Sequence, residues 1–139
     1  MTIRLCIISA HNSFYKALQA FLPCLETKVG HRFELVGSAS DMMLAKSEIS
    51  TLLPDLVICD LGQPEGVIDG LTLTRWTHHL RSTNSQLPPQ VVLCSLYSDD
   101  IFHQASREAG AVAFLVKDRL NSQLPLILKQ LYPSNSRMN

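Results

Sequence analysis

Short runs of almost unbroken apolar residues constrain the fold of this chain more than any other feature. Two of them read Leu-Val-Ile-Cys at 56–59 and Val-Val-Leu-Cys at 91–94. Parallel strands have this composition because helices cover them on both faces. Strands are predicted at Ile3–Ser9, Arg32–Ser38, Leu56–Asp60, Gln90–Ser95 and Ala111–Val116. The pattern therefore favours a buried, parallel sheet.

Amphipathic segments between these runs predict the helices that cover the sheet. The first segment has an apolar face from Phe14 to Leu22, and Pro23 lies close to its expected end. Asp41 is a candidate N-cap for the second helix. Three further helices are expected over about 71–80, 99–109 and 119–131. Strands that alternate with helices predict an α/β sandwich with right-handed crossovers.

Length and composition predict one folded domain. The chain has 139 residues, of which 46% are hydrophobic and 17% charged. We expect the domain to span 1–132 and 133–139 to be a flexible tail or the start of a linker. Twelve basic and twelve acidic residues balance, so the sequence has no electrostatic signature of nucleic-acid binding. No apolar run approaches the roughly 20 residues that span a bilayer, and no signal peptide is recognisable, so a cytoplasmic location is expected.

The four cysteines are expected to be structural. Cys6, Cys59 and Cys94 lie inside predicted buried strands, and Cys24 follows the expected end of the first helix. No Cys-x-x-Cys pair is present, so a zinc site has little support. Free cysteine is a common small core residue.

Polar side chains end four of the predicted strands or follow them directly. Ser9, Asp60, Ser95 and Lys117 hold these positions. The carboxyl ends of parallel strands share one edge of the sheet, where ligands bind in open α/β folds. A carboxylate, hydroxyls and an ammonium gathered there are groups that suit a phosphoryl-accepting site.

Over nearly its whole length the chain resembles the receiver domain of two-component response regulators. The matching stretches are Pro-Asp-Leu-Val-Ile-Cys-Asp-Leu at 54–61, Pro64, Asp-Gly-Leu at 69–71, Val-Val-Leu-Cys-Ser at 91–95 and Ala-Gly-Ala-Val-Ala-Phe-Leu-Val-Lys-Asp at 109–118. The resemblance implies a CheY-like, flavodoxin-like (βα)5 three-layer sandwich. Its five-stranded parallel sheet would have the strand order 2-1-3-4-5.

The resemblance also implies a role for each residue of the site. Asp60 would be the phosphoacceptor of a histidine kinase, and Ser95 the hydroxyl that contacts the phosphoryl group. Lys117 would pair with a phosphoryl oxygen, and Phe114 would be the aromatic side chain whose rotation reports the state of the site. The resemblance implies a binding and signalling module rather than an enzyme.

The chain departs from the family at the metal-binding acidic pair, which is replaced by Ser9 and Ala10. Magnesium requires hard oxygen ligands, usually including carboxylates. Asp60 and the carbonyl of Gly62 remain, so we expect no cofactor, or at most weak magnesium binding. Asp60 is then expected to pair with Lys117. These departures favour an atypical receiver that acts through protein–protein contacts, with phosphorylation at Asp60 weak or absent.

Two alternatives remain open at this point. The first is a conventional magnesium-dependent receiver that is phosphorylated at Asp60. The second is that such a receiver forms the N-terminal part of a DNA-binding regulator. A nucleotide-binding enzyme is disfavoured because no glycine-rich loop follows the first strand. Expected partners are a histidine kinase or another signalling protein, or a second copy through the face formed by helix 4, strand 5 and helix 5. Tyr97, Phe102, Leu120 and Leu124 are candidates both for contact with a partner and for packing in the core. No nucleic acid or membrane is expected to bind this segment.

Overall fold

The computed structural model of the chain describes residues 1–61, 64–83, 87–96 and 100–133, and only the backbone of 64–68. The strands are β1 (Thr2–Ile8), β2 (Arg32–Ala39), β3 (Leu56–Asp60), β4 (Gln90–Ser95) and β5 (Ala113–Val116). The α-helices are α1 (Asn12–Val29), α2 (Met42–Leu52), α3 (Pro64–Thr77), α4 (Asp100–Ala109) and α5 (Leu120–Leu131), the last preceded by a 3-10 turn at Lys117–Arg119. All strand pairs are parallel, in the order β2-β1-β3-β4-β5. The predicted fold class and strand order are confirmed.

The hydrophobic core lies in two layers, one on each face of the sheet. Along β1, the side chains of Ile3, Leu5 and Ile7 enter the layer covered by α1 and α5, whereas Cys6 and Ile8 enter the opposite layer. This alternation follows from the two-residue period of a strand. β3 is buried from end to end and β4 from Val91 to Ser95, as their apolar runs predict.

Helix α1 is longer than predicted, because Pro23 lies inside it rather than at its end. The residues that follow continue the apolar face, and Leu25 and Val29 are fully buried against the sheet. Their burial outweighs the hydrogen bond that the proline cannot donate. The helix ends at Gly30, whose left-handed backbone (φ 84°) lets its N–H bond to the Glu26 carbonyl. Cys24 therefore lies on the exposed side of α1 and does not follow a helix end.

Helix α3 begins at Pro64, seven residues before the start predicted from the sequence. Proline suits the first helical position, since its N–H would have no partner there and its φ is already helical. Gly70 is required inside this helix for close packing, because a Cβ at that position would lie 2.2 Å from Leu61 Cδ2. β5 begins at Ala113, two residues later than predicted, and Asp99, the expected start of α4, lies outside the described residues.

Side chains cap both ends of α2. The predicted N-cap is confirmed, since Asp41 Oδ1 accepts a hydrogen bond from Leu44 N at 2.8 Å. At the other end, the Arg4 guanidinium donates to the carbonyls of Leu52 and Leu53 at 2.7 and 3.1 Å. These bonds satisfy carbonyls that the helix itself leaves without partners. Within the part of the chain that the structure describes, no helix has the length and apolar character that crossing a bilayer demands.

Candidate functional site

The strand ends gather the predicted site residues at one edge of the sheet. Ser9 follows β1, Asp60 ends β3, Ser95 ends β4 and Lys117 follows β5. A cleft of about 230 Å³ opens at this edge. Its lining comprises Ile8, Ser9, Ala10, Ser40, Asp41, Met42, Cys59, Asp60, Leu61 and Asp69.

The carboxylate of Asp60 is fully buried and is bound by two other side chains. Lys117 Nζ forms an ion pair with Asp60 Oδ1. Ser9 Oγ lies 2.7 Å from Asp60 Oδ2 in a buried hydrogen bond. The ion pair that the sequence predicts is therefore present, and Ser9, which follows β1, is bonded directly to Asp60.

The hydroxyl of Ser9 has one proton and three neighbours. Its Oγ lies 2.7 Å from Asp60 Oδ2 and 3.1 Å from the His11 carbonyl, and it accepts a bond from His11 N at 3.0 Å. Hydrogen bonds to an ionised oxygen are shorter and stronger than neutral ones. The shorter distance assigns the proton to the carboxylate. Ser9 thus donates to Asp60 and accepts from the backbone at the start of α1.

Phe14 is a site residue that the sequence did not reveal. Its ring centroid lies 5.0 Å from Lys117 Nζ, within range of a cation–π interaction. The Lys117 side chain is 16% exposed. Its ammonium contacts both the Asp60 carboxylate and this ring. From the sequence, Phe14 was assigned only to the apolar face of the first helix. The available signal was its place in the first turn of that helix, just beyond the strand end that carries Ser9.

Ser95 and Phe114 occupy the part of the site that lies towards α4 and α5. Ser95 is 1% exposed and directly follows Cys94, the residue in register with Asp60. The Phe114 ring packs against His103 of α4, with centroids 4.7 Å apart and planes tilted by 59°. Both rings line a groove of about 730 Å³ beside α5. Gly62 and Tyr97 lie outside the described residues.

Comparison with known proteins places this geometry in a structural class. No family model matches the chain. It is 30% identical over 116 residues, 82% of its length, to a protein-glutamate methylesterase/protein-glutamine glutaminase of Rhodospirillum rubrum. The chain spans only about a quarter of the length of the curated relatives it matches, 29% of this one and 24% of a homologous protein from Oleidesulfovibrio alaskensis.

Solved structures share the fold over nearly the whole chain. The isolated REC domain of RcsB from Salmonella enterica, in the presence of a phosphomimetic, aligns with a TM-score of 0.73 over 94% of this chain and 88% of that one, at 17% identity. A response regulator from Thermotoga maritima aligns with a TM-score of 0.70 over 96% of this chain and 100% of that one, at 21% identity. The chain has the CheY-like receiver fold. The resemblance inferred from the sequence motifs is confirmed.

The donor groups described in the cleft do not by themselves form a magnesium site. Ala10 offers no side-chain oxygen, and the Ser9 proton is directed at Asp60. Asp41 and Asp69 also line the cleft, but Asp41 Oδ1 is held by the N-terminal turn of α2. In the described ranges, no three His, Cys, Asp or Glu residues are grouped so that they can hold a metal ion. Among the described residues, the carboxylates are therefore not grouped as an octahedral magnesium site requires.

The cysteines beside the site of the receiver domain are chemically inert. Burial, with a smaller contribution from the neighbouring Asp60 charge, raises the pKa of the Cys59 thiol to about 12. Burial likewise raises the pKa of Cys94 far above its ordinary value. Only the thiolate is a good nucleophile or metal ligand. Both thiols remain protonated near neutral pH, which agrees with the structural role expected from the sequence.

Proposed function

We propose that this receiver domain acts in two-component or phosphorelay signalling through protein–protein contacts, with phosphorylation at Asp60 weak or absent. The observation that carries the proposal is the internal pairing of Asp60. One of its oxygens is paired with Lys117, and the other accepts the proton of Ser9. In this proposal Asp60 holds the phosphoacceptor position of the fold, and Ser95, Lys117 and Phe114 are the remaining site residues.

The pairing of Asp60 opposes phosphoryl transfer for two reasons. Attack by a carboxylate oxygen on phosphorus depends on its electron density, and the Ser9 proton and the Lys117 ammonium each draw on one oxygen of Asp60, which lowers its nucleophilicity. Transfer also depends on neutralising the charge of the incoming phosphoryl group. The described residues offer Lys117 for this purpose, and that charge is already balanced by Asp60. A donor would have to break the ion pair before the site could bind it.

The groove beside α5 supports a role in protein contacts. Ile101 at the start of α4 is 73% exposed, and Leu126 on α5 is 60% exposed. Leu126 lines the groove together with His103, Phe114 and Arg119. Exposed aliphatic side chains around an aromatic and an arginine are typical of an interface centre. We propose that a signalling protein, such as a histidine kinase or a second copy of the chain, binds this face.

The candidate contact residues divide according to burial. Leu120 and Leu124 are buried in the core, so they stabilise α5 from within rather than contact a partner. Phe102 is half-buried and packs against the opposite core layer. The proposal assigns the domain to residues 1–132, gives it no catalytic activity of its own, and places it in the cytoplasm, with neither DNA nor membrane bound by this segment.

A conventional receiver, phosphorylated with magnesium, is the second candidate. Its support is that Asp60, Ser95 and Lys117 are all retained at adjoining strand ends, and that Asp69 adds a carboxylate to the cleft. The chain would then switch by phosphorylation like an ordinary response regulator.

Intact-mass analysis after incubation with a small-molecule phosphodonor separates the two candidates. The protein is incubated with and without magnesium, beside an Asp60→Asn variant that lacks the acceptor oxygen. Unchanged mass in every sample supports the phosphorylation-independent module. A phosphoryl mass gain that requires both magnesium and Asp60 would overturn it and establish the conventional switch.

A further inference from the structure

We infer that the conformation of the first turn of α1 depends on the charge of Asp60, through two contacts made by Ser9 and Phe14. The inference goes beyond the proposed function, because it names a second surface that reports the state of the site.

The first contact passes through the Ser9 hydroxyl. Ser9 donates to Asp60 Oδ2, and its oxygen accepts a bond from His11 N. His11 is the N-cap of α1, and its carbonyl accepts from Phe14 N at 3.1 Å and Tyr15 N at 3.3 Å. One side-chain oxygen therefore connects Asp60 to the residue on which the first turn of α1 is built.

The start of α1 lacks the usual means of stabilisation. The His11 side chain makes no capping hydrogen bond, and no acidic residue lies in the first turn of the helix. A helix start without a side-chain cap leaves several backbone N–H groups without partners, and acidic residues there would favour the helix dipole. The bond to Ser9 instead fixes the cap residue from outside the helix. The first turn is therefore unusually dependent on Ser9.

The second contact passes through Lys117 and Phe14. The Lys117 ammonium is paired with Asp60 Oδ1 and lies 5.0 Å from the centroid of the Phe14 ring, in that same first turn. The contacts form a closed ring from Asp60 to Ser9, His11, Phe14, Lys117 and back to Asp60. Both arms of the ring start at the same carboxylate.

Loss of the Asp60 charge weakens both arms together. The acceptor of Ser9 becomes neutral, so its hydrogen bond loses the strength that an ionised partner gives. Lys117 loses its counter-ion in a mostly buried position and turns towards water. Phe14 then loses the cation against its ring. The exposed residues His11, Asn12 and Ser13 are carried by this turn, so their surface changes when Asp60 changes.

Amide hydrogen exchange measured by NMR on the full chain tests the inference. The reporters are the amides of His11, Phe14 and Tyr15, whose hydrogen bonds form the turn. Asp60→Asn removes the charge with almost no change of shape. We expect exchange at the reporters to accelerate by about tenfold, with α5 amides unchanged, since local opening is independent of global unfolding.

Two further variants keep the test specific. Phe14→Leu breaks the aromatic arm without touching Asp60, and should accelerate the same reporters. Asp69→Asn removes a carboxylate from the same cleft and is the matched control, expected to leave them unchanged. Unchanged reporters in Asp60→Asn would overturn the coupling. Equal acceleration of the reporters and the α5 amides would overturn it as well, since this reflects global destabilisation. Neither result depends on whether the wild-type protein accepts a phosphoryl group.

Discussion

Substitution of Lys117 by methionine perturbs the site at its most informative point. The Asp60 side chain is fully buried and the Lys117 side chain is 16% exposed, so the substitution leaves a buried carboxylate without its counter-ion. Removing one partner of a buried ion pair costs about 3–5 kcal/mol. Ser9 still donates to Asp60 in the variant, so we expect a loss at the lower end of this range, about 3 kcal/mol of the free energy of unfolding. The unfolding equilibrium constant should rise about 150-fold.

Urea unfolding followed by far-ultraviolet circular dichroism measures this cost. The double variant Lys117→Met/Asp60→Asn removes both charges and should lie within about 1 kcal/mol of the wild type, because a neutral pair needs no counter-ion. Lys129→Met is the matched control. Lys129 is an exposed lysine of α5, and its substitution should change the free energy of unfolding by less than about 0.5 kcal/mol.

Two results would refute the reasoning. If Lys117→Met costs no more than Lys129→Met, the ion pair contributes nothing that solvent does not replace. If the free energy of unfolding of the double variant falls by the sum of the losses in Lys117→Met and Asp60→Asn, the two side chains are not coupled. Either result would remove the internal pairing on which the proposed function depends.

Four further predictions concern the rest of the fold. An alkylating reagent should modify the exposed Cys24 in the folded protein and Cys59 only after unfolding, as read by peptide mass mapping. Burial raises the Cys59 pKa from about 9 to about 12, so the unfolded chain loses the thiol proton at lower pH than the folded protein. The free energy of unfolding should therefore fall as pH rises from about 9 towards 12. A free energy of unfolding that stays constant over this range would contradict the raised pKa of Cys59. Gly110→Ala should lower the free energy of unfolding by about 1–3 kcal/mol in chemical denaturation, because φ at this position is 105° and a Cβ would lie 1.8 Å from His78 Nε2. Adding His78→Ala should recover only the part of this loss that the clash causes. Asp41→Ala should lower it by about 1 kcal/mol through loss of the α2 cap, whereas Asp41→Asn should retain most of the stability; equal losses would argue against a capping role.

The fold could be predicted because its signals are local. Continuous apolar runs mark central parallel strands, and polar residues at their ends mark the site edge, so Asp60, Ser95 and Lys117 were found without tertiary information. The end of α1 could not be predicted in this way. Pro23 is locally a helix terminator, and only the burial of residues beyond it, such as Leu25, explains why the helix continues.

The contacts inside the site were predicted only in part. Because Ser9 and Ala10 carry no acidic side chain, the sequence predicts that Asp60 pairs with Lys117, and this pair is present. The Ser9 bond to Asp60 joins residues 51 positions apart and depends on side-chain rotamers, which no sequence pattern encodes. The contact of Phe14 with Lys117 could not be predicted for a different reason. An aromatic on the apolar face of a helix has the same spacing whether it fills the core or covers an ammonium.

The initial rate of phosphoryl incorporation with a small-molecule donor and magnesium is the most direct test of the central claim. It should be compared between the wild type and the variant Ser9→Asp/Ala10→Asp, which restores two carboxylates beside Asp60 and removes the hydroxyl that holds it. We predict incorporation in the variant and none, or far slower incorporation, in the wild type. Equal magnesium-dependent rates in the two proteins would contradict the claim and show that Asp60 accepts phosphate despite its bonds to Ser9 and Lys117.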